Sequence, residues 1–133
     1  MSQTILPEGW VPPKGYANGL VAQGKVLFIG GQIGWDPRST PPKFPETFAA
    51  QWEQAIANVC EVFKAAGGTP EQLTRLTVYV TDKKEYLASL KELGASWKTL
   101  LGRHYPAMAL VQVVALVEDQ AKVEIEATAV LES

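Results

Sequence analysis

The apolar residues of this chain switch between strand-like and helix-like spacing. Two short apolar runs, 19–22 and 25–33, are separated by Gln23 and Gly24, which predicts a β-hairpin with a positive φ at the glycine. Four prolines follow between residues 34 and 45 and exclude a helix or a ladder there. We therefore predict a surface loop of a length that is often functional.

Two later segments have the 3.6-residue period of amphipathic helices. The first spans 48–66 and ends at Gly67, which suits a left-handed cap, and the second begins at Asp82 and ends at Gly102. Their apolar stripes are Phe48, Trp52, Ala55, Ile56, Val59, Phe63 and Ala66 in the first, and Tyr86, Leu90, Leu93, Trp97, Leu100 and Leu101 in the second.

Three more strands are predicted at 73–81, 107–117 and 121–131, because these segments alternate or are rich in β-branched residues. The element order is then β-β-α-β-α-β-β, in one domain of residues 1–133. Crossover connections between parallel strands are almost always right-handed. We therefore expect an α+β fold with a five-stranded mixed sheet and two helices on one face.

The last two predicted strands differ in the polarity of their two faces. In the final strand Val123, Ile125, Ala127 and Ala129 alternate with polar residues, whereas the strand before it is apolar on both faces except at Gln112. Such a strand is normally covered on both sides, and two helices cover only one. We expect a second copy of the chain to cover the other face. The alternative is an exposed face of small apolar residues.

Composition excludes several classes of protein. The 133 residues include 12 Lys+Arg and 14 Asp+Glu, a net charge of −2 without a basic run, which argues against nucleic-acid binding. The 47% apolar content excludes a disordered chain, and no apolar run is long enough to span a membrane. The single cysteine and an N-terminus unlike a signal peptide favour a cytoplasmic protein.

Few single residues suggest chemistry. Cys60 follows the apolar stripe of the first helix and is expected to pack as a small hydrophobe. His104 is the only histidine and has no metal ligand at a suitable spacing, so we predict a turn role and no metal site. The glycine-rich segment 30–34 resembles a phosphate loop, but no helix follows it. Its glycines instead predict a close approach of another group to the backbone.

Two carboxylates, Glu124 and Glu126, share the polar face of the last strand. A carboxylate near a covered surface is costly unless it is paired, so such residues are often functional. Glu124 is the candidate for catalysis. Structural pairing, with Lys122 or with a neighbouring chain, is the alternative.

Five segments together resemble the Rid family, the reactive intermediate deaminases that are also called YjgF-like or L-PSP "translation inhibitor" proteins. The most specific match is Pro-Ala-x-x-x-Val-x-Val at 106–113, followed by Val-Glu-Ile-Glu-Ala. The resemblance implies a chorismate-mutase-like α+β fold, a homotrimer and three small-molecule clefts between subunits, without a metal or an organic cofactor. The segments are 15–19, 28–37, 77–82, 105–113 and 123–127.

The best-known branch of that family hydrolyses enamines and imines to a carbonyl compound and ammonia. By resemblance Tyr16 lines the cleft, and the backbone around Gly31, Gln32 and Leu110 orients the water. Glu124 would be the polar residue nearest the attacked carbon, which makes it the expected catalytic residue.

Several family positions differ here. The arginine that grips a substrate carboxylate is Met108, the adjacent Ser or Thr is Ala109, and a frequent Cys is Leu110. A thioether offers only soft apolar contact, so we expect a substrate without a free carboxylate near the reacting carbon. Arg38 and Arg103 do not lie where the motif would place a cation. Trp35 is expected to add an aromatic wall. The family's serine before Gly-Gln is Gly30, and its helix asparagine has no clear counterpart.

Two other functions remain open from the sequence. A non-catalytic trimer that binds a small metabolite would also have an apolar cleft. A ribonuclease or translation inhibitor is the more remote alternative, because the charge balance is unfavourable and no cluster of His, Lys and Arg is visible.

Overall fold

The computed structural model describes residues 2–132 and contains six strands, three α-helices and one short 3₁₀ helix. The strands are β1 Gln3–Ile5, β2 Gly19–Val21, β3 Lys25–Ile33, β4 Leu73–Val80, β5 Ala107–Gln112 and β6 Val123–Leu131. The helices are α1 Phe48–Ala65, α2 Lys83–Ala88 and α3 Leu90–Leu101, with the 3₁₀ helix at Pro70–Gln72.

The main sheet has four strands in the order β3-β6-β4-β5. β4 and β5 are parallel, and β6 is antiparallel to both β3 and β4. The helices cover one face, because the buried residues of α1 and α3 form one core with the inward residues of the sheet. The predicted α+β class, with a mixed sheet and helices on one face, is confirmed.

Periodicity predicted the core well. Val123, Ile125 and Ala129 are fully buried and Ala127 nearly so, which is the predicted inward face of β6. α1 buries six of the seven residues of its predicted stripe, while Ala66 lies at the exposed C-cap. The helix ends at a Schellman-like turn in which Gly67 has a φ of 84°, as predicted for a left-handed cap.

The predicted hairpin between 19–22 and 25–33 is wrong. Gly24 has a positive φ of 149°, but β2 pairs with β1 in a separate two-stranded sheet, and β3 pairs with β6. The main sheet therefore has four strands rather than five. β1 is only three exposed residues long and has no alternating pattern, so nothing in its residue pattern indicates that it pairs with β2.

The end of β5 and the second helical segment differ most from the prediction, while β4 and β6 differ by one or two residues at one end. β5 ends at Gln112 rather than Val117, because its partner β4 ends at Val80 and only one further bond, from Val113 N to Val80 O, extends the ladder. The predicted second helix is divided into α2 and α3 at Ser89, whose hydroxyl donates to the carbonyl of Glu85 at 2.8 Å.

The sheet face opposite the helices carries exposed apolar side chains. Phe28 is 80% exposed, and Val26 and Val111 are about half exposed. Beyond β5, Val114 and Val117 extend into solvent. Exposed apolar area of this kind is typical of an interface. Coverage of this face by a second copy stays a prediction.

The proline-rich loop is tied to α1 by two buried amides. Asn58 Nδ2 donates to Ile33 O at 3.2 Å and Trp35 O at 2.9 Å. Gln51 donates to Pro45 O and Gln120 O and accepts from Lys122 N, which joins the loop to the start of β6. The loop therefore has a fixed position against the helix.

We predict that Asn58→Ala lowers the free energy of unfolding by about 2 kcal/mol, because two carbonyls lose their buried donor. Urea unfolding at one protein concentration measures the change. Asn18→Ala, at an exposed position, is the control and should change stability by less than about 0.5 kcal/mol. Equal effects of the two substitutions would contradict this role of Asn58.

Candidate functional site

A pocket of about 400 Å³ lies between the helices and β5, the edge strand of the main sheet. Its wall is mostly aromatic and aliphatic, which is typical of small-molecule sites. The lining residues are Lys14, Gly15, Tyr16, Trp52, Tyr86, Leu90, Leu93, Gly94, Trp97, Tyr105, Met108 and Leu110.

Strand alternation places Met108 and Leu110 in this pocket. They pair with Leu76 and Val78 of β4, which are fully buried under the helices. Cross-strand partners share a face of the sheet, so Met108 and Leu110 face the helices as well. Both side chains pack against the main core.

Aromatic contacts hold the pocket walls in place. Trp97 stacks on Tyr105 with ring centroids 5.7 Å apart and planes 7° from parallel. Its indole Nε1 donates to His104 O at 3.1 Å, which fixes the ring. On the other side Trp52 and Tyr86 contact each other, with centroids 5.8 Å apart.

The N-terminal segment closes the pocket beside β5. Ala17 forms a parallel bridge with Ala107, and its N–H donates to Pro106 O at 3.0 Å. Ala17 is buried at this bridge, so the residues before it lie along the sheet edge. Lys14 and Tyr16 therefore reach the pocket although they precede β5 by about ninety residues.

Glu124 lies on the opposite face of the sheet. It alternates with buried Val123 and Ile125, and its partner on β4 is Tyr79. The carboxylate lies over Gly31, where β3 has a register shift between Ile29 and Gln32. A Cβ at Gly31 would overlap Glu124 Oε2 and lie 2.9 Å from Cδ, so a larger residue here requires the Glu124 carboxylate to move.

The carboxylates of Glu124 and Glu126 differ in their contacts. Glu126 accepts a hydrogen bond from Tyr79 Oη at 2.8 Å, and this bond raises the pKa of Tyr79. Lys122 pairs with Glu85 at 3.4 Å rather than with Glu124. Within residues 2–132 the half-buried carboxylate of Glu124 has no hydrogen-bond or ion-pair partner.

The residues expected at the site therefore form two groups within one protomer. Tyr16, Met108 and Leu110 share the pocket, and Gly31 and Glu124 are neighbours on the other face of the sheet. β4 separates the two groups.

Three other expected contacts occupy different positions. Ala109 faces away from the helices and is exposed, and the Gln32 side chain donates to Gly30 O at 3.2 Å. Trp35 does not line the pocket but packs on Phe44 in the proline-rich loop, with ring centroids 5.6 Å apart.

Sequence reasoning missed most of the aromatic wall. The helical spacing predicts only a core position for Trp52, Tyr86 and Trp97. It predicts no role in a site for Tyr105 or Lys14. The usable signal was the number of aromatic residues in both stripes. Two helices facing the same edge strand bring such residues together.

The cysteine and the histidine have structural roles. Cys60 is buried in the core, and burial raises its pKa to about 11, so it remains a thiol at neutral pH. His104 Nε2 lies 2.6 Å from Leu73 O and donates to that carbonyl. Among residues 2–132 no group of three or more potential ligands is placed to bind a metal ion. None of the helices in this range combines the length and apolar character of a membrane span.

Comparison with known proteins identifies the family. The family model described as Endoribonuclease L-PSP matches residues 10–131. A 2-iminobutanoate/2-iminopropanoate deaminase of Escherichia coli is 32% identical, with 98% of each chain covered. The rat protein of the same name is 34% identical over 80% of this chain and 73% of its own.

Solved structures agree. A Rid-family protein of unknown function, YyfB from Yersinia pestis, superposes with a TM-score of 0.84 at 31% identity, covering 98% of both chains. The E. coli YjgF gene product gives 0.67 at 32% identity, covering 96% of this chain and 98% of its own. This chain belongs to the Rid (YjgF/L-PSP) family.

We predict that Gly31→Ala displaces the Glu124 carboxylate by about 0.6 Å or more. The distance of 2.9 Å between the new Cβ and Glu124 Cδ must increase to that of van der Waals contact, about 3.5 Å. A crystal structure of the variant measures the displacement. Gly30→Ala is the matched control, since a Cβ there meets nothing within 4 Å. An unmoved carboxylate in Gly31→Ala would show that the backbone yields instead.

Proposed function

We propose that the chain is a cofactor-independent deaminase that hydrolyses an enamine or imine lacking a free carboxylate near the reacting carbon. The reaction would take place in clefts between the subunits of a homotrimer in the cytoplasm. One observation carries this proposal. Met108, which stands where the resemblance places the family's arginine, lies in a pocket that no arginine of residues 2–132 lines.

The substituted anchor determines the expected specificity. An arginine makes two parallel charge-assisted hydrogen bonds to a carboxylate, whereas a thioether makes none. Losing such a contact weakens binding on the order of 100-fold. Arg38 pairs with Glu61 at 3.0 Å, and neither Arg38 nor Arg103 lines the pocket. A substrate held by its carboxylate beside Met108 is therefore disfavoured.

The position of Glu124 supports a shared cleft. Its carboxylate and the Met108 pocket are on opposite faces of one sheet, so a ligand in the pocket does not reach Glu124 of the same chain. A second copy that covers the exposed face with Phe28 and Val111 would bring its own pocket edge to Glu124. The site is then incomplete in a single chain.

The proposed reaction needs a proton relay and an oriented water. Protonation of the enamine at carbon gives an iminium ion, and water adds to its C=N carbon with loss of a proton. Transfer of a proton to nitrogen then expels ammonia, and loss of the hydroxyl proton leaves the carbonyl compound. Glu124, which has no partner in the described part of the chain, would hold the water and move these protons. Tyr16 would bound the substrate, with the Gly31–Gln32 backbone beside the water.

The relatives support the reaction class. Those in E. coli and rat are named as deaminases of 2-iminobutanoate and 2-iminopropanoate, which are imino acids. The bond that is hydrolysed would be the same in this protein, and the group that anchors the substrate would differ.

A non-catalytic binding protein is the second candidate, favoured by the apolar residues at Met108, Ala109 and Leu110. Tight stoichiometric binding of one metabolite, without ammonia release from any enamine, would support it. Ribonuclease activity, which the family model's description suggests, has little support here, because the chain is slightly acidic overall.

We predict that Glu124→Gln lowers ammonia release from a neutral enamine by about 100-fold or more, since the general base is lost. Glu126→Gln is the matched control on the same strand and face and should retain most activity. Ammonia release measures turnover, and gel filtration measures the oligomer. Unchanged turnover in Glu124→Gln would remove this residue from the mechanism.

We predict that Met108→Arg raises activity on 2-imino acids by about tenfold or more, because the guanidinium returns to the pocket. The 2-imino acids are generated in situ from amino acids, and ammonia release is measured. Met108→Leu, which keeps the pocket apolar, is the control and should gain nothing. An arginine variant that turns over 2-imino acids no faster than the wild type would contradict the specificity argument.

A further inference from the structure

The lining of the aromatic pocket includes a cation but no anion among residues 2–132. In the described part of the chain, Lys14 is the only charged residue that lines the pocket, and none of the carboxylates lines it. Within residues 2–132 the Lys14 ammonium has no carboxylate or carbonyl partner. A cation at the edge of an apolar wall attracts an anion more strongly than one surrounded by water.

Most uncharged polar side chains of the lining also lack a protein partner within residues 2–132, whereas Trp97 Nε1 donates to His104 O. The hydroxyls of Tyr16, Tyr86 and Tyr105 make no hydrogen bond to residues in the described part of the chain. Trp52 is 4% exposed, and its indole N–H is a buried donor without a partner. Tyrosine hydroxyls both donate and accept, so the surplus of donors within residues 2–132 comes from the Lys14 ammonium and the Trp52 indole N–H.

We infer that the pocket binds a flat aromatic acid, with its ring between the aromatic walls and its carboxylate on Lys14. This inference rests on the proposed function and names its substrate class. The anion is held by the N-terminal segment instead of β5, so the carboxylate lies away from the Met108 position. The stacked pair of Trp97 and Tyr105 and the contact of Trp52 with Tyr86 supply the ring faces.

The size and the shape of the pocket fit this class. A volume of about 400 Å³ is at the lower end of ordinary ligand sites and accommodates a two-ring compound. Aromatic walls favour offset or edge contacts with a planar ring over an aliphatic chain of equal area. Lys14 is exposed and flexible, so it follows the position of the carboxylate.

The test is calorimetric titration of the full-length protein with 1-naphthylacetate and its neutral amide, 1-naphthylacetamide. We expect the acid to bind about fivefold more tightly at low salt. The ratio of the affinity for the acid to the affinity for the amide should fall to about one in Lys14→Met. It should persist in Lys14→Arg. Lys25→Met, at an exposed lysine outside the pocket, is the matched control and should leave the ratio unchanged.

Equal affinity for acid and amide in the wild type would overturn the inference, and so would a ratio that survives in Lys14→Met. Failure of both probes to bind at millimolar concentration would also overturn it. Binding is measured without turnover, so this result is independent of the deaminase proposal. A protein that grips the acid through Lys14 and hydrolyses no enamine supports this inference and refutes the proposed activity.

Discussion

The alternation of side chains along one sheet determines where this protein can do chemistry. Neighbouring residues on paired strands share a face, so buried Leu76 and Val78 place Met108 and Leu110 under the helices. The same rule places Glu124 on the outer face, beside Tyr79. The apolar pocket and the unpaired carboxylate are therefore on opposite sides of β4 and β6. In the proposed shared site each of them is a half-site, and the two half-sites come from different chains.

The periodic parts of the fold were predictable because local burial determines them. The inward residues of β6, the stripe of α1 and the ends of both helical segments at Gly67 and Gly102 follow from spacing and glycine chemistry. The pairing of β2 with β1 was not predictable, since three exposed residues carry no pattern. The early end of β5 depends on where its partner β4 stops, which is a property of the sheet rather than of residues 113–117.

The site was predicted in part for the same reason. Tyr16, Met108 and Leu110 came from a resemblance over several segments, and the pocket brings these three together. Trp52 and Trp97 look like ordinary core residues in the sequence, because a helical stripe does not show whether it faces a packed core or a pocket. Lys14 becomes relevant only through the bridge between Ala17 and Ala107, a contact over ninety residues of sequence.

By the family resemblance, Met108 takes the place of an arginine, which changes the charge of the pocket more than its shape. A thioether at β5 leaves aromatic rings, unpartnered hydroxyls and one lysine at the rim, a combination that selects for ring area. The outer face keeps the family's Val-Glu-Ile-Glu-Ala segment and the Gly31 position on which the Glu124 carboxylate lies. Under the proposed function, the pocket half-site sets the specificity and the other half-site supplies the Glu124 carboxylate.

The most direct test of the two half-sites is activity in mixed oligomers. Chains with Glu124→Gln are unfolded and refolded together with chains in which Leu110→Trp fills the pocket. Each variant on its own is expected to be inactive. If each site takes its pocket from one protomer and Glu124 from the next, about one site in four is intact in an equal mixture. Ammonia release should then recover to about a quarter of the wild-type rate. Activity that never exceeds the sum of the two separate variants would contradict a site shared between subunits.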